Sequence, residues 1–193
     1  RYINGKKDEG LRPQHIETYD PTEQTLKEIY TLYQESCDRA GLVDFAELLL
    51  RAHELLRNNR IVREHYQNRF RHILVDEFQD TNSIQYAWIR LLAGSQNSAT
   101  IVGDDDQSIY GWRGAKVENI HQFLSDFEGS ETIRLEQNYR STSTILRAAN
   151  SVISNNSGRL GKDLWTDGND GEPISLYAGF NEMDEARYIV ARI

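Results

Sequence analysis

Apolar positions change their spacing near residue 70, and the change divides the chain into a helical part and an alternating part. Upstream, Leu26, Ile29, Tyr30, Tyr33 and Cys37 share one face of a 3.6-residue repeat. Asp20-Pro21 with Glu23 opens that helix: an N-cap, a first-turn proline, and an acid near the positive end. Gly41 closes it. Asp44 and Glu47 have capping-box spacing ahead of Leu48, Leu49, Ala52, Leu55 and Leu56, and Ile61, Val62, Tyr66 and Phe70 predict a third helix. Residues 1–19 are polar with little periodicity and read as a loop or a frayed start.

Downstream, Ile73-Leu74-Val75 and Thr100-Ile101-Val102 are short apolar runs ending in acidic or glycine-rich turns, the pattern of buried parallel strands. Thr132 to Leu135 predicts a third strand and Pro173 to Phe180 a fourth. Helices are predicted between and after them: Ile84 to Leu92, Val117 to Phe127, Ile145 to Ile153, and one beginning after Asn181. Strands alternating with helices imply an α/β layer with a mainly parallel sheet.

Composition narrows the class. The chain has 193 residues, 38% hydrophobic and 27% charged, which suits one sizeable core or one and a half small domains. A net charge of −8 and a pI near 5.2 on their own argue against a nucleic-acid binder, although a protein can hold nucleic acid in one local groove while its whole surface stays acidic. Cys37 is the only cysteine, which excludes an internal disulfide and a cysteine-based zinc site. No apolar run approaches the roughly 20 residues that span a bilayer, and no signal peptide is visible, so a cytoplasmic setting without membrane contact is expected. The chain opens on Arg1 and closes on Ile193 inside an amphipathic pattern, and reads as cut at both ends.

The most informative segment is Ile73-Leu74-Val75-Asp76-Glu77-Phe78-Gln79-Asp80. Ligands of open α/β sheets sit at the carboxyl ends of strands, where Asp76 and Glu77 fall. Nucleotide hydrolysis needs one carboxylate near Mg²⁺ and another to orient or deprotonate water, and Asp76 and Glu77 fit those roles in that order. The alternative for an isolated pair is that the acids cap the helix starting near Ser83.

The pair does not stand alone. Val75 to Asn82 reads VDEFQDTN, Gly103 to Ala115 reads GDDDQSIYGWRGA, and Leu135 to Ser141 reads LEQNYRS. In their order and spacing these strings resemble motifs II, III and IV of the superfamily 1A DNA helicases, the UvrD/PcrA/Rep family. The flanks VDFAELLLRAHELL and GKDLWTDGNDGEPISLY are similar too, so the resemblance runs over essentially the whole chain.

That resemblance implies partial RecA-like P-loop NTPase domains preceded by a helical subdomain. Residues 1–70 would be part of the helical 1B subdomain, 71–136 the later half of RecA-like domain 1A, and 137–193 the start of RecA-like domain 2A. The nucleotide would lie between 1A and 2A, with single-stranded DNA crossing both. Asp76 would contact Mg²⁺ and Glu77 would activate the attacking water of ATP hydrolysis. Gln107 would reach the γ-phosphate region and link nucleotide state to the DNA path, Tyr139 would stack on the adenine, and Arg140 would reach the γ-phosphate from the 2A side. Tyr110, Trp112 and Arg113 would lie along the DNA. The activity implied is that of a 3′-to-5′ DNA helicase acting on single-stranded DNA and single-strand/duplex junctions in DNA repair, with repair proteins as further partners.

The physical chemistry agrees with these roles. Stacking on Trp112 grips a strand without reading its sequence, and Arg140 offers a planar fork of donors to phosphate. Taken alone, Trp112 would more often be a core anchor, and Tyr139 and Arg140 a surface tyrosine and a solvated arginine. Asp104, Asp105 and Asp106 lack the alternating spacing of a calcium loop and read as a polar turn. His15, His53, His65, His72 and His121 have no metal-ligand spacing.

A phosphate-binding loop needs Gly, four residues, Gly, Lys and Ser or Thr. Gly158-Arg159-Leu160-Gly161-Lys162-Asp163 has the wrong glycine spacing and ends in an acid, so it reads as a helix end followed by a loop. The family's late motifs and its 2B subdomain are missing as well, and the chain alone is expected to be inactive. A non-enzymatic DNA-binding or interaction module derived from a helicase is the rival class. Asp76, Glu77, Gln107 and Arg140 standing together favour the motor, because a binding module has no need of them. Another class of P-loop ATPase would leave GDDDQSIYGWRG unexplained.

Overall fold

The computed structural model describes all residues from Arg1 to Ile193, and the chain divides into two units, Arg1–Ser130 and Glu131–Ile193. The first unit begins with helices α1 (Tyr2–Asp8), α2 (Pro21–Ala40), α3 (Phe45–Asn58) and α4 (Arg60–Arg69). Strand β1 (His72–Val75), helix α5 (Ser83–Ala93), strand β2 (Ser98–Ile101) and helix α6 (Glu118–Asp126) follow. Helices α7 (Ser143–Ile153) and α8 (Glu182–Arg192) belong to the second unit.

Local chemistry sets most helix ends where the pattern predicts them. Asp20, Asp44 and Asn181 cap α2, α3 and α8 by accepting backbone N–H bonds from Glu23, Glu47 and Asp184. Gly41 ends α2 in the left-handed conformation. The cap of α5 is Asn82, which exchanges hydrogen bonds with Gln85. Neither Asp76 nor Glu77 caps that helix, so the pair is not accounted for as a helix start.

The expectation of a frayed start is overturned. Residues 2–8 are helical and Pro13–His15 forms a short 3-10 turn, although neither shows an apolar stripe. Ion pairs hold this segment. Lys7 and Glu47 are each only 1% exposed, and Lys7 Nζ lies 3.0 Å from Glu47 Oε2 and 2.8 Å from Asp44 Oδ2. Arg12 donates to both oxygens of Glu47, at 2.7 and 2.9 Å, and to both oxygens of Glu54, at 2.8 and 2.7 Å. Arg51 adds a third partner to Glu47 at 2.6 Å.

Burial alone would raise the Glu47 carboxyl, but hydrogen bonds from Arg51, Arg12 and Lys7 outweigh it and hold the group below the usual carboxylate range. Asp44 is lowered likewise: bonds from Lys7, Glu47 N–H and Tyr33 outweigh its burial. Carboxyls depressed in the folded state contribute stability that is complete above their unfolded values and is lost as pH falls through the folded ones. The unit should therefore hold its melting temperature down to the ordinary carboxylate range and lose it steeply below. Glu47→Gln should destabilise the unit at neutral pH, by up to about 3–5 kcal/mol, by taking from buried Lys7 one of its two carboxylate partners and leaving it with Asp44 alone. Thermal melts of parent and variant between about pH 7 and about pH 3 check both statements. A variant as stable as the parent at neutral pH would contradict the ionic account of α1.

The sheet is smaller than predicted. β1 and β2 pair in parallel with Val75 opposite Ile101, and no other strand joins them. The third and fourth predicted strands are not formed: 131–136 and 173–179 run as irregular chain, with Ile133, Leu135, Ile174 and Leu176 exposed. A strand is stable only with a neighbour for its backbone groups and a surface for its apolar face, and these segments have neither. The second unit has one bridge instead, Gln137 with Trp165. No helix is long and apolar enough to cross a membrane.

Candidate active site

Parallel pairing brings the carboxyl ends of β1 and β2 side by side, and both acidic motifs start there. Val102 N–H donates to Val75 O at 2.7 Å, and Phe78 N–H donates to Val102 O at 3.0 Å, so the ladder continues into the turn. Phe78 is fully buried, edge-on to Tyr86 and Phe123 with centroids 5.8 Å away in each case. Putting Phe78 into the core while Asp76 and Glu77 stay exposed forces a sharp reversal. Glu77 makes it, as the only non-glycine residue with positive φ (φ 50°, ψ 42°). Such backbone costs on the order of 1–3 kcal/mol and persists where surrounding contacts fix it.

Asp76 Oδ1 accepts the Glu77 N–H at 3.0 Å. An exposed carboxylate at a strand end, with a second oxygen to offer, suits a hard divalent cation. Gln79 Nε2 donates to Glu77 Oε2 at 2.8 Å, and Gln79 Oε1 accepts the Asp104 N–H at 3.0 Å. Gln107 Nε2 donates to Asp104 Oδ2 at 2.6 Å. Hydrogen bonds thus link Glu77 to Gln107 through Gln79 and Asp104, two residues to which the motif reading gave no catalytic role, and Asp76 stands beside Glu77 in the turn. The signal for Gln79 was its place two residues after Glu77, but burial of its amide is a tertiary fact.

Asp104 also caps the short 3-10 turn Asp105–Gln107 by accepting the Asp106 N–H. The predicted polar turn is present, and carboxylate oxygens of Asp104, Asp105 and Asp106 lie within 4.8 Å of one another. That group contains none of the five histidines.

Three residues beyond Gln107, Tyr110, Trp112 and Arg113 form one exposed cluster on the turn Gly111–Arg113. The Arg113 guanidinium lies 4.6 Å from the Trp112 ring centre and 5.4 Å from that of Tyr110. Trp112 is 62% exposed, so it does not anchor this unit's core. Gly114 closes the turn at φ 90°, a conformation only glycine adopts without strain. Lys116 N–H to Thr81 O, 2.9 Å, then ties the exit of this turn to the segment that follows the first acidic motif.

The second unit holds Tyr139 and Arg140. They sit not at the end of a strand but in a turn organised by Asn138, whose Oδ1 accepts the N–H groups of Arg140 and Ser141 at 2.9 and 2.8 Å. Both are exposed, Tyr139 by 86%, with its hydroxyl donating to Gln137 Oε1 at 2.8 Å.

Known proteins match this chain along its length. The family profile for the UvrD/REP helicase N-terminal domain fits residues 1–128, and that for the UvrD-like helicase C-terminal domain fits 133–193. DNA helicase II of Escherichia coli is 72% identical over all 193 residues, and DNA helicase II of Haemophilus influenzae is 61% identical over the same span. ATP-dependent DNA helicase PcrA of Staphylococcus aureus is 46% identical over 177 residues, 92% of this chain. The chain spans 24 to 27% of the length of these relatives. With its first 128 residues matched by one family profile and its last 61 by the companion profile, the chain belongs to the UvrD/REP helicase family.

Proposed function

We propose that the chain is the part of an ATP-dependent DNA helicase that carries the catalytic carboxylates, within a protein that couples ATP hydrolysis to 3′-to-5′ movement on single-stranded DNA and to duplex unwinding. The observation that carries this reading is the hydrogen-bonded set Glu77, Gln79, Asp104 and Gln107 at the ends of two paired parallel strands. The names of the relatives, DNA helicase II and PcrA, support DNA and ATP as ligands. In this reading residues 1–70 are a 1B-like helical part, 71–136 the later half of a RecA-like domain 1A, and 137–193 the start of a RecA-like domain 2A. Single-strand/duplex junctions, a role in DNA repair with repair proteins as partners, and a cytoplasmic setting follow from the same family reading.

Each role has a physical basis. Glu77 orients the attacking water and accepts its proton, Gln107 meets the γ-phosphate, Tyr139 stacks on adenine, and Arg140 faces the γ-phosphoryl oxygens. Asp76 is the residue that would hold Mg²⁺, which when bound supplies charge neutralisation at the phosphates. Tyr110, Trp112 and Arg113 offer ring faces and a cation to single-stranded DNA.

The DNA part of the reading is tested by Trp112→Ala in the helicase-length protein containing this chain. Single-stranded DNA affinity should weaken by about 1–3 kcal/mol, the loss of one stacked base, with little dependence on base sequence. DNA-stimulated ATP hydrolysis should fall with it. Unchanged DNA affinity in a normally folded variant would remove Trp112 from the DNA path.

A further inference from the structure

Glu77 is exposed and its left-handed backbone does not by itself fix where its carboxylate points. Gln79 does. That side chain is 2% exposed, and both of its polar ends are engaged: Nε2 with Glu77 Oε2 at 2.8 Å, Oε1 with the Asp104 N–H at 3.0 Å. A buried amide is stable only when its donor and acceptor are both satisfied, and here the two partners lie on different motifs. The backbone comes unusually close to make this possible. A Cβ at Gly103 would fall 2.7 Å from Gln79 Oε1 and 3.2 Å from Phe78 N, so no other residue fits there without displacing the amide. Asp104 passes the connection on, its Oδ2 accepting from Gln107 Nε2 at 2.6 Å.

We propose that Gln79 is a positioning residue that aims the Glu77 carboxylate and couples it, through Asp104, to Gln107 and the aromatic turn beyond. The proposal rests on the assignment of Glu77 as the group that activates water. Its physical content is a chain of three hydrogen bonds, Glu77–Gln79, Gln79–Asp104 and Asp104–Gln107, running along the ends of β1 and β2. When Gln107 turns toward a phosphate, Asp104 loses a partner, and its backbone N–H is the point where the change reaches Gln79. The same connection carries displacement the other way, from the turn holding Tyr110, Trp112 and Arg113 back to Glu77. Gln79 thus makes the rate of hydrolysis responsive to DNA, without touching nucleotide or DNA itself.

Two variants in the helicase-length protein separate this role from simple core packing. Gln79→Glu keeps the size and the acceptor facing Asp104 but removes the donor facing Glu77. Gln79→Met removes both. The measurements are thermal melting, affinity for a fluorescent ATP analogue, affinity for single-stranded DNA, and kcat with and without that DNA. Both variants are expected to melt cooperatively and to bind either ligand within about threefold of the parent, while kcat falls at least about tenfold, the scale of a small misplacement of a reacting group. The ratio of DNA-stimulated to basal kcat is expected to collapse toward unity. A parental kcat and stimulation ratio in either folded variant would overturn the proposal: normal Gln79→Glu would mean that the contact with Glu77 is idle. Failure of both variants to fold would overturn it too, by making Gln79 a core residue only. Glu77→Gln is the control for the underlying reading. If that variant hydrolyses ATP normally, the assignment of Glu77 falls, whereas if it is silent and the Gln79 variants are normal, only the positioning role falls.

Discussion

Glu77→Gln in the helicase-length protein is expected to leave nucleotide affinity near the parental value and to cut turnover by about 10²–10⁴-fold, the range of a lost general base. The substitution conserves shape, and the amide can still meet Gln79, now through a carbonyl oxygen accepting from Nε2. What it cannot do is take a proton from water. Glu77 stands at the carboxyl end of β1, exposed, with one oxygen held by Gln79 at 2.8 Å. The reversal at φ 50° presents it there, and Phe78 in the core keeps the reversal in place. Single-turnover hydrolysis and nucleotide titration, measured separately, give the two numbers. Parental hydrolysis by the variant would mean that another group is the base.

Arg140→Ala should have a comparable or larger effect on the chemical step, because an arginine that meets a transferring phosphoryl group is worth roughly 10³–10⁵ in rate. Asn138 shapes the turn that presents it, accepting the Arg140 and Ser141 N–H groups, and Trp165 braces that turn by accepting the Asn138 N–H at 2.7 Å. Lysine should not rescue. A guanidinium offers donors in a fixed plane that match two phosphoryl oxygens together, whereas an ammonium is a point charge on a flexible stem. Arg140→Ala and Arg140→Lys should therefore both hydrolyse far more slowly with only a modest loss of nucleotide affinity. A lysine variant near the parental rate would reduce Arg140 to a source of general positive charge.

Helix positions were legible in the sequence because their ends are local events. Asp20 with Glu23, Asp44 with Glu47, and Asn181 each place a capping side chain a few residues from the N–H groups it serves. The acidic motif was legible for a similar reason: a short apolar run followed at once by Asp76 and Glu77 can be read without knowing what packs behind it. What could not be read depends on distant partners. Helix α1 is held by Lys7 and the segment after it by Arg12, whose partners Asp44, Glu47 and Glu54 lie 35 to 42 residues away, and no periodicity within residues 1–19 records them. The predicted strands at 132–135 and 173–180 have apolar sequences but no neighbour to pair with, so the propensity finds no sheet to join. Gln79 shows the same limit at the site itself. Its role comes from Gly103 and Asp104, brought beside it by the parallel pairing of β1 with β2.

In the proposed reading these residues supply the hydrolytic carboxylates of a DNA-driven motor. ATP turnover of the helicase-length protein and of the 193-residue chain, measured side by side with and without single-stranded DNA, tests it most directly. Strong DNA-stimulated turnover is expected in the longer protein and none in the chain alone, which has no Gly-rich loop with its lysine to hold the phosphates. Robust turnover by the chain that survives Glu77→Gln, or a longer protein whose hydrolysis ignores DNA, would contradict it.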